Sequence, residues 1–310
     1  MKKLFTLVFA LFLTAGTTFA QNSSTVNQTG DDNDAALEQT FDGSGAGINQ
    51  ATITQDGNRN TVASYGQLGS GNELMILQVG NDNTVFDPPE QGSNQQNSVG
   101  SVTHIEQRGD NNRVWDADQY GEGQRLEITQ DGNENWVDVE MQSGLSNEAY
   151  ITQSGTGNQV GTERPGTNSR GANGFVQDGS GNWASLTQTG SANQIGTDGD
   201  FVGDAPNAPS SLGHGPSVNE PNAQQTFVQV GSDHMATVTQ DGSYNAIDYA
   251  LQQGSSNTLN VLQDGQYHTA RFSQVGGSNN AIYLEQFGTG HEASIFQTGS
   301  GNTATVTQQQ

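Results

Sequence analysis

The chain has 310 residues, no cysteine, 31% hydrophobic residues, and nine basic side chains against 33 acidic ones. Disulfide staples are excluded, and so acidic a surface repels nucleic acid and anionic lipid, which argues against both as partners. Such a composition alone suits a disordered chain, unless the scarce apolar residues fall at regular positions.

Residues 1–20, MKKLFTLVFALFLTAGTTFA, read as a secretory signal peptide: two lysines, an apolar run from Leu4 to Leu13, and small residues before a cut after Ala20. The run is well short of the ~20 residues that a membrane span needs. Its removal takes away Lys2 and Lys3, the only lysines, leaving seven arginines against 33 carboxylates, a net charge of −26.

From residue 21 the apolar residues are regular. Gln28 and Gln39 end the first two short alternating runs, and Gln55, Gln67 and Gln78 follow a glycine-rich spacer at Gly43 to Gly47. A first interruption, near 85–97, carries Pro88 and Pro89. The rhythm resumes at Gln107, Gln119, Gln130, Gln142 and Gln153. Two more interruptions, near 162–174 and 197–225, open with Asn158-Gln-Val-Gly-Thr162 and Asn193-Gln-Ile-Gly-Thr197, and the pattern returns at Gln177 and Gln229. Gln240, Gln252, Gln263, Gln274, Gln286, Gln297 and Gln308 complete the series. All seven prolines lie in the interruptions, as a continuous strand ladder requires, because proline donates no backbone hydrogen bond.

The stretch from Gln124 to Gly155 shows the unit. Gln124-x-Leu126-x-Ile128-x-Gln130 has a period of two, which gives a strand with Asn, apolar and Gln residues on one face. The Q-x-G-x-x-N step that follows is turn chemistry, since Gly and Asn tolerate positive φ. A strand-turn-strand unit of 23 residues cannot bury its own face and must stack on its neighbours. The expected fold is all-β: a β-solenoid of about ten stacked strand-turn-strand rungs over residues 21–310, with a cross-β, amyloid-competent core. At ~4.8 Å per rung it would be roughly 50 Å long. The two later interruptions leave from equivalent points of the repeat and would project as one lateral knob.

An inward amide carries both donors and acceptors, so stacked Gln and Asn side chains can bond along the axis and satisfy a core poor in apolar residues. The residues expected to form these ladders are Gln55, Asn60, Gln67, Asn72, Gln78, Gln130, Asn135, Gln142, Asn147, Gln153, Asn182, Gln188, Gln240, Asn245, Gln252, Asn257, Gln263, Gln297, Asn302 and Gln308. Ala51 and Ile53, Ala184 and Leu186, Ala236 and Val238, and Ala304 and Val306 would fill the space between them.

The pattern Q-x-G-x-x-N-x-A-x-[VIL]-x-Q resembles the curlin repeat, most clearly at Gln177-Asp-Gly-Ser-Gly-Asn182-Trp-Ala-Ser-Leu-Thr-Gln188 and at Gln297-Thr-Gly-Ser-Gly-Asn302-Thr-Ala-Thr-Val-Thr-Gln308. It covers most of Gln28 to Gln308, with eighteen Q-x-G steps at near-constant spacing. The resemblance implies a curli-type subunit, exported through the outer membrane of a Gram-negative bacterium. It would be nucleated at the cell surface and polymerised into amyloid fibres that serve the biofilm matrix and adhesion. The implied partners are further copies of itself, a nucleator subunit and a curli-type secretion channel. The chain departs from the family in carrying about twice the usual number of repeats, the three insertions, and only the short Gln21 to Asn27 where a targeting segment would stand.

Other chemistry finds less support in the residues. His234, His268 and His291 replace the Asn that opens a strand, the last two on adjacent rungs, and fit an amide ladder better than a metal pair. Asp56, Asp131, Asp178, Asp241 and Asp264 stand in Q-D-G turns, without the calcium β-roll repeat. Their charge would restrain premature aggregation. Thr52/Thr54, Thr237/Thr239 and Thr305/Thr307 raise the alternative of a soluble acidic β-solenoid adhesin that binds carbohydrate or ice through its loops or threonine face. No nucleophile motif, phosphate loop or paired-carboxylate constellation stands out from the repeat, so the expected protein is not an enzyme and needs no cofactor or metal. The final ATVTQQQ still reads as a strand, and the expectation is of two uncapped ends that favour polymerisation.

Overall fold

A computed structural model describes residues 22–40, 47–85, 94–115, 117–139, 141–161, 174–196 and 227–310. Residues 1–20, the expected signal peptide, and most of the three insertions lie outside these residues. Among the described residues every regular element is a β-strand, and the chain winds between two parallel sheets as a β-solenoid.

The first sheet has 11 strands, running in chain order from Ser23–Thr29 at one end to Thr303–Gln309 at the other. Its register is the repeat itself: Ile105, Ile128 and Ile151 stack, and beside them Gln107, Gln130 and Gln153. The second sheet has 15 strands because some of its layers are cut in two. The pairs Thr84–Val85 with Asn94–Val99, Arg113–Trp115 with Gln119–Glu122, and Trp136–Asp138 with Met141–Leu145 each make one layer. Gln159–Val160 with Phe175–Ser180, and Gln194–Ile195 with Phe227–Ser232, make two more.

These breaks fall at one place in the repeat. Val85, Val114, Val137, Val160 and Ile195 stack in one column, and each half-strand ends beside it. The flanks of all three insertions therefore stand on one line down the side of the second sheet, whereas sequence spacing related only the later two. The first interruption is also shorter than expected. Asn94–Val99 is already back in the sheet, with Gln96 paired to Gln67 and Gln119.

Alternation explains the packing. In the strand Arg125–Asn133, Leu126, Ile128 and Gln130 point inward and are buried, while the residues between them reach solvent. One continuous apolar core lies between the sheets, small and branched on the first-sheet side and partly aromatic on the second. There Tyr65, Phe175, Phe227 and Phe272 are fully buried, and the rings of Phe175 and Phe227 stack at 5.4 Å.

The corners are set by backbone conformation. Gly132 has φ +130°, and an added Cβ would stand 1.9 Å from the carbonyl oxygen of Gly155 on the next rung. Glycine is needed there both for its φ and for the close stacking of one corner on another. Two residues later Glu134, at φ +57°, turns the chain so that Asn135 faces inward and opens the next strand.

Candidate functional site

The stacked glutamines form two hydrogen-bonded ladders. In the first sheet the ladder runs Gln28, Gln55, Gln78, Gln107, Gln130, Gln153, Gln188, Gln240, Gln263, Gln286, Gln308. Each Nε2 donates to the Oε1 of the next residue at 2.7–2.9 Å. In the second sheet it runs Gln39, Gln67, Gln96, Gln119, Gln142, Gln177, Gln229, Gln252, Gln274, Gln297, with the same polarity at 2.6–3.1 Å. The second amide hydrogen is used as well: Gln130 Nε2 also donates to the Arg113 carbonyl in the opposite sheet at 3.0 Å. Beyond Gln28, each amide thus ties two rungs and two sheets together.

Each corner adds its own ladder. At one, Asn60, Asn83, Asn112, Asn135, Asn158, Asn193 and Asn245 succeed one another, each Oδ1 accepting the backbone N–H of the next residue. At the other corner stand Asn49, Asn72, Asn147, Asn182, Asn257, Asn280 and Asn302. Here Ser101 and Gln124 replace Asn: Ser101 Oγ accepts the Gln124 N–H at 3.1 Å, and Gln124 Oε1 accepts the Asn147 N–H at 3.0 Å.

All twenty residues singled out in the sequence hold ladder positions, sorted into four columns. Gln55, Gln78, Gln130, Gln153, Gln188, Gln240, Gln263 and Gln308 share the first-sheet column, and Gln67, Gln142, Gln252 and Gln297 the second. Asn60, Asn135 and Asn245 lie at one corner, and Asn72, Asn147, Asn182, Asn257 and Asn302 at the other. Gln96, Ser101 and Gln124 were not among them. Nor was a short outer ladder in the turns, where Asn58 Nδ2 donates to Asn81 Oδ1 and Asn81 Nδ2 to Asp110 Oδ1, both at 3.0 Å. Its only signal is the Asn or Asp that follows the turn glycine.

Three histidines replace asparagine atom for atom. His234 Nδ1 accepts the Asn257 N–H at 3.3 Å while Nε2 donates to the Val230 carbonyl at 3.0 Å. His268 Nδ1 accepts the His291 N–H, and its Nε2 meets the Asp264 carbonyl. The arrangement requires a neutral ring with its proton on Nε2. Burial pushes the His234 pKa down, and burial, with the neighbouring His291, does the same to His268.

A polar departure from the apolar core lies near the first insertion. Thr103 takes a core position and accepts from Gln96 Nε2 at 2.8 Å and from the Tyr65 hydroxyl at 3.3 Å, and donates to Gln119 Oε1 at 2.8 Å. Burial pushes the Tyr65 phenol far above its ordinary pKa.

The outer face of the first sheet is chemically mixed. The column holding Thr52, Thr237 and Thr305 also holds Met75, His104, Glu127, Tyr150, Ser185, Asn260 and Tyr283. It is not the regular threonine array that ice binding needs. Of the turn aspartates, Asp241 and Asp264 stack on each other, whereas Asp56 lies beside Val79. Among the described residues no group of three His, Asp or Glu side chains could hold a metal.

Fold and ladders together define a parallel β-solenoid whose interior is tied along its axis by side-chain amides. Residues 254–288 and 277–309 match the family model of the curlin associated repeat. No curated protein matches the chain.

Proposed function

We propose that this protein is a secreted, curli-like fibre subunit that self-assembles end to end into extracellular amyloid, without enzymatic activity. The observation that carries this reading is the single polarity of the glutamine ladders. At the Gln28 and Gln39 end they terminate in carbonyl oxygens, and at the Gln297 and Gln308 end in amide nitrogens. A second copy placed head to tail brings donors onto acceptors, whereas any other end contact opposes like groups. Among the described residues the strands Ser23–Thr29 and Thr303–Gln309 each pair on one side only, which in this reading offers an edge for parallel addition.

The matched family supplies the biological setting. The reading places the protein outside a Gram-negative cell, delivered by the 1–20 signal and an outer-membrane curli-type channel. A nucleator starts the fibre, which contributes to the biofilm matrix and to adhesion. The flanks of the three insertions stand on one line of the second sheet, between its two ends.

The test is a time course of light scattering and electron microscopy on residues 21–310 diluted from denaturant. The full chain should give a lag followed by filaments. Substituting Gln297 and Asn302 should slow assembly far more than deleting 199–222. Equal effects, or none, would count against the ladders as the assembling element.

A further inference from the structure

Tyr244 and Tyr267 occupy the corner position just before the inward Asn245 and His268, on consecutive rungs. Their φ values are +57° and +58°, a region that bulky side chains rarely enter. Asp32, Arg59, Asp82, Asn111 and Glu134 hold the same position on earlier rungs. The two tyrosine rings are parallel within 5° at 5.2 Å, and each residue is more than half exposed.

The stack is bounded by small residues. Before Tyr244 the corner is Ala192 and after Tyr267 it is Gly290, with nothing within 4 Å of where a glycine Cβ would stand. The outer face of Tyr267 therefore looks onto an open step about one rung deep. Backbone bonds hold this step in register: Tyr267 N–H donates to the Ser243 carbonyl and Gly290 N–H to the Gln266 carbonyl. Strained, exposed aromatic residues kept on adjacent rungs contribute little to the core and point to recognition.

Charge selects the ligand. Asp241 and Asp264 stand side by side in the same turns, three residues before Tyr244 and Tyr267, whereas Glu292, two residues past Gly290, is paired with Arg271 at 3.4 Å. The face of a tyrosine ring is itself electronegative and attracts cations. A planar cation fits a step one ring thick and stacks better than a tetrahedral ammonium.

We infer that Tyr267, backed by Tyr244 and open over Gly290, is a stacking site for the guanidinium of an arginine side chain carried by a cationic polypeptide. The site lies at the last described corner before the Gln297 and Gln308 end of the solenoid. It is open in a single chain, so its test is made on the monomer and does not depend on polymerisation.

The experiment is fluorescence anisotropy with labelled hexa-arginine and hexa-lysine, titrated against the full chain at physiological salt. The unaltered protein should prefer hexa-arginine by about threefold to fivefold. Tyr244→Gly with Tyr267→Gly should erase that preference, and Gly290→Asn, which fills the step, should reduce it. Glycine and asparagine both suit positive φ, and an unchanged circular dichroism melt would show that the fold is kept. Equal binding of the two peptides by the unaltered chain, or the same preference in all variants, would overturn the assignment.

Discussion

The imidazoles of His268 and His291 lie parallel within 4° at 5.2 Å, and His268 Nδ1 accepts the backbone N–H of His291 at 3.2 Å. A histidine that protonates there sets an N–H against an N–H and places charge in the stack. His234 is in the same position toward Asn257.

Acid should therefore loosen the solenoid through these rings. Both His234 and His268 are held below the ordinary histidine pKa, so the unfolded chain takes up their protons first. Stability is whole above about pH 6.5 and falls as pH drops below it, until the folded pKa values are passed. One unit below, His234 can cost at most about 1.4 kcal/mol. Urea unfolding at pH 7.5 and 5.5 should show this loss, and His234→Asn with His268→Asn should remove that part of it. The same pH slope in the double variant would contradict the assignment.

Gln130 tests the ladder inside a single chain. Replacing it with leucine leaves Gln107 without its acceptor and Gln153 without its donor, both in a buried column. Two such orphaned groups should cost about 3 kcal/mol, while Thr129→Val on the outer face should change stability by less than about 0.5 kcal/mol. Denaturation midpoints of the two variants measure the contrast. Similar midpoints would mean that apolar packing alone holds the rungs.

The corner glycines should divide into two classes. At Gly132 a Cβ would collide with the Gly155 carbonyl at 1.9 Å, so Gly132→Ala must force adjacent rungs apart. Gly157 also has positive φ, +66°, but has nothing within 4 Å of its missing Cβ. Gly157→Ala should cost about 1–2 kcal/mol, the αL preference alone, and Gly132→Ala clearly more. Thermal unfolding of the pair decides, and equal losses would show that conformation rather than close stacking fixes these glycines.

Much of this architecture was legible because the repeat is strict. Gln130, Gln142 and Gln153 mark their own ladders by spacing, and Leu126 and Ile128 mark the inward face by alternation. What escaped reading did so for physical reasons. Gln96 sits among Gln91, Gln95 and the prolines of the first insertion, where the period is lost although the strand returns. Ser101 and Gln124 do the work of asparagine with different atoms, so residue identity conceals a shared hydrogen bond. The outer Asn58–Asn81–Asp110 ladder uses the residue types that any turn would use. The splitting of second-sheet layers beside Val114 and Val137 leaves no mark on the glutamine spacing. The spacing from Gln263 to Gln274 is 11 residues where Gln130 to Gln142 is 12, and the register shifts at Ile247/Tyr249 and Gln252/Gly254 lie in the strands that absorb the difference.

The most direct test of the central claim is fibre diffraction from an aligned, concentrated preparation of residues 21–310. End-to-end addition of these rungs predicts filaments with a sharp meridional reflection at about 4.7–4.8 Å, lost when Gln297 and Asn302 are both replaced. A β-rich protein that stays monomeric at high concentration, with no meridional reflection, would contradict it.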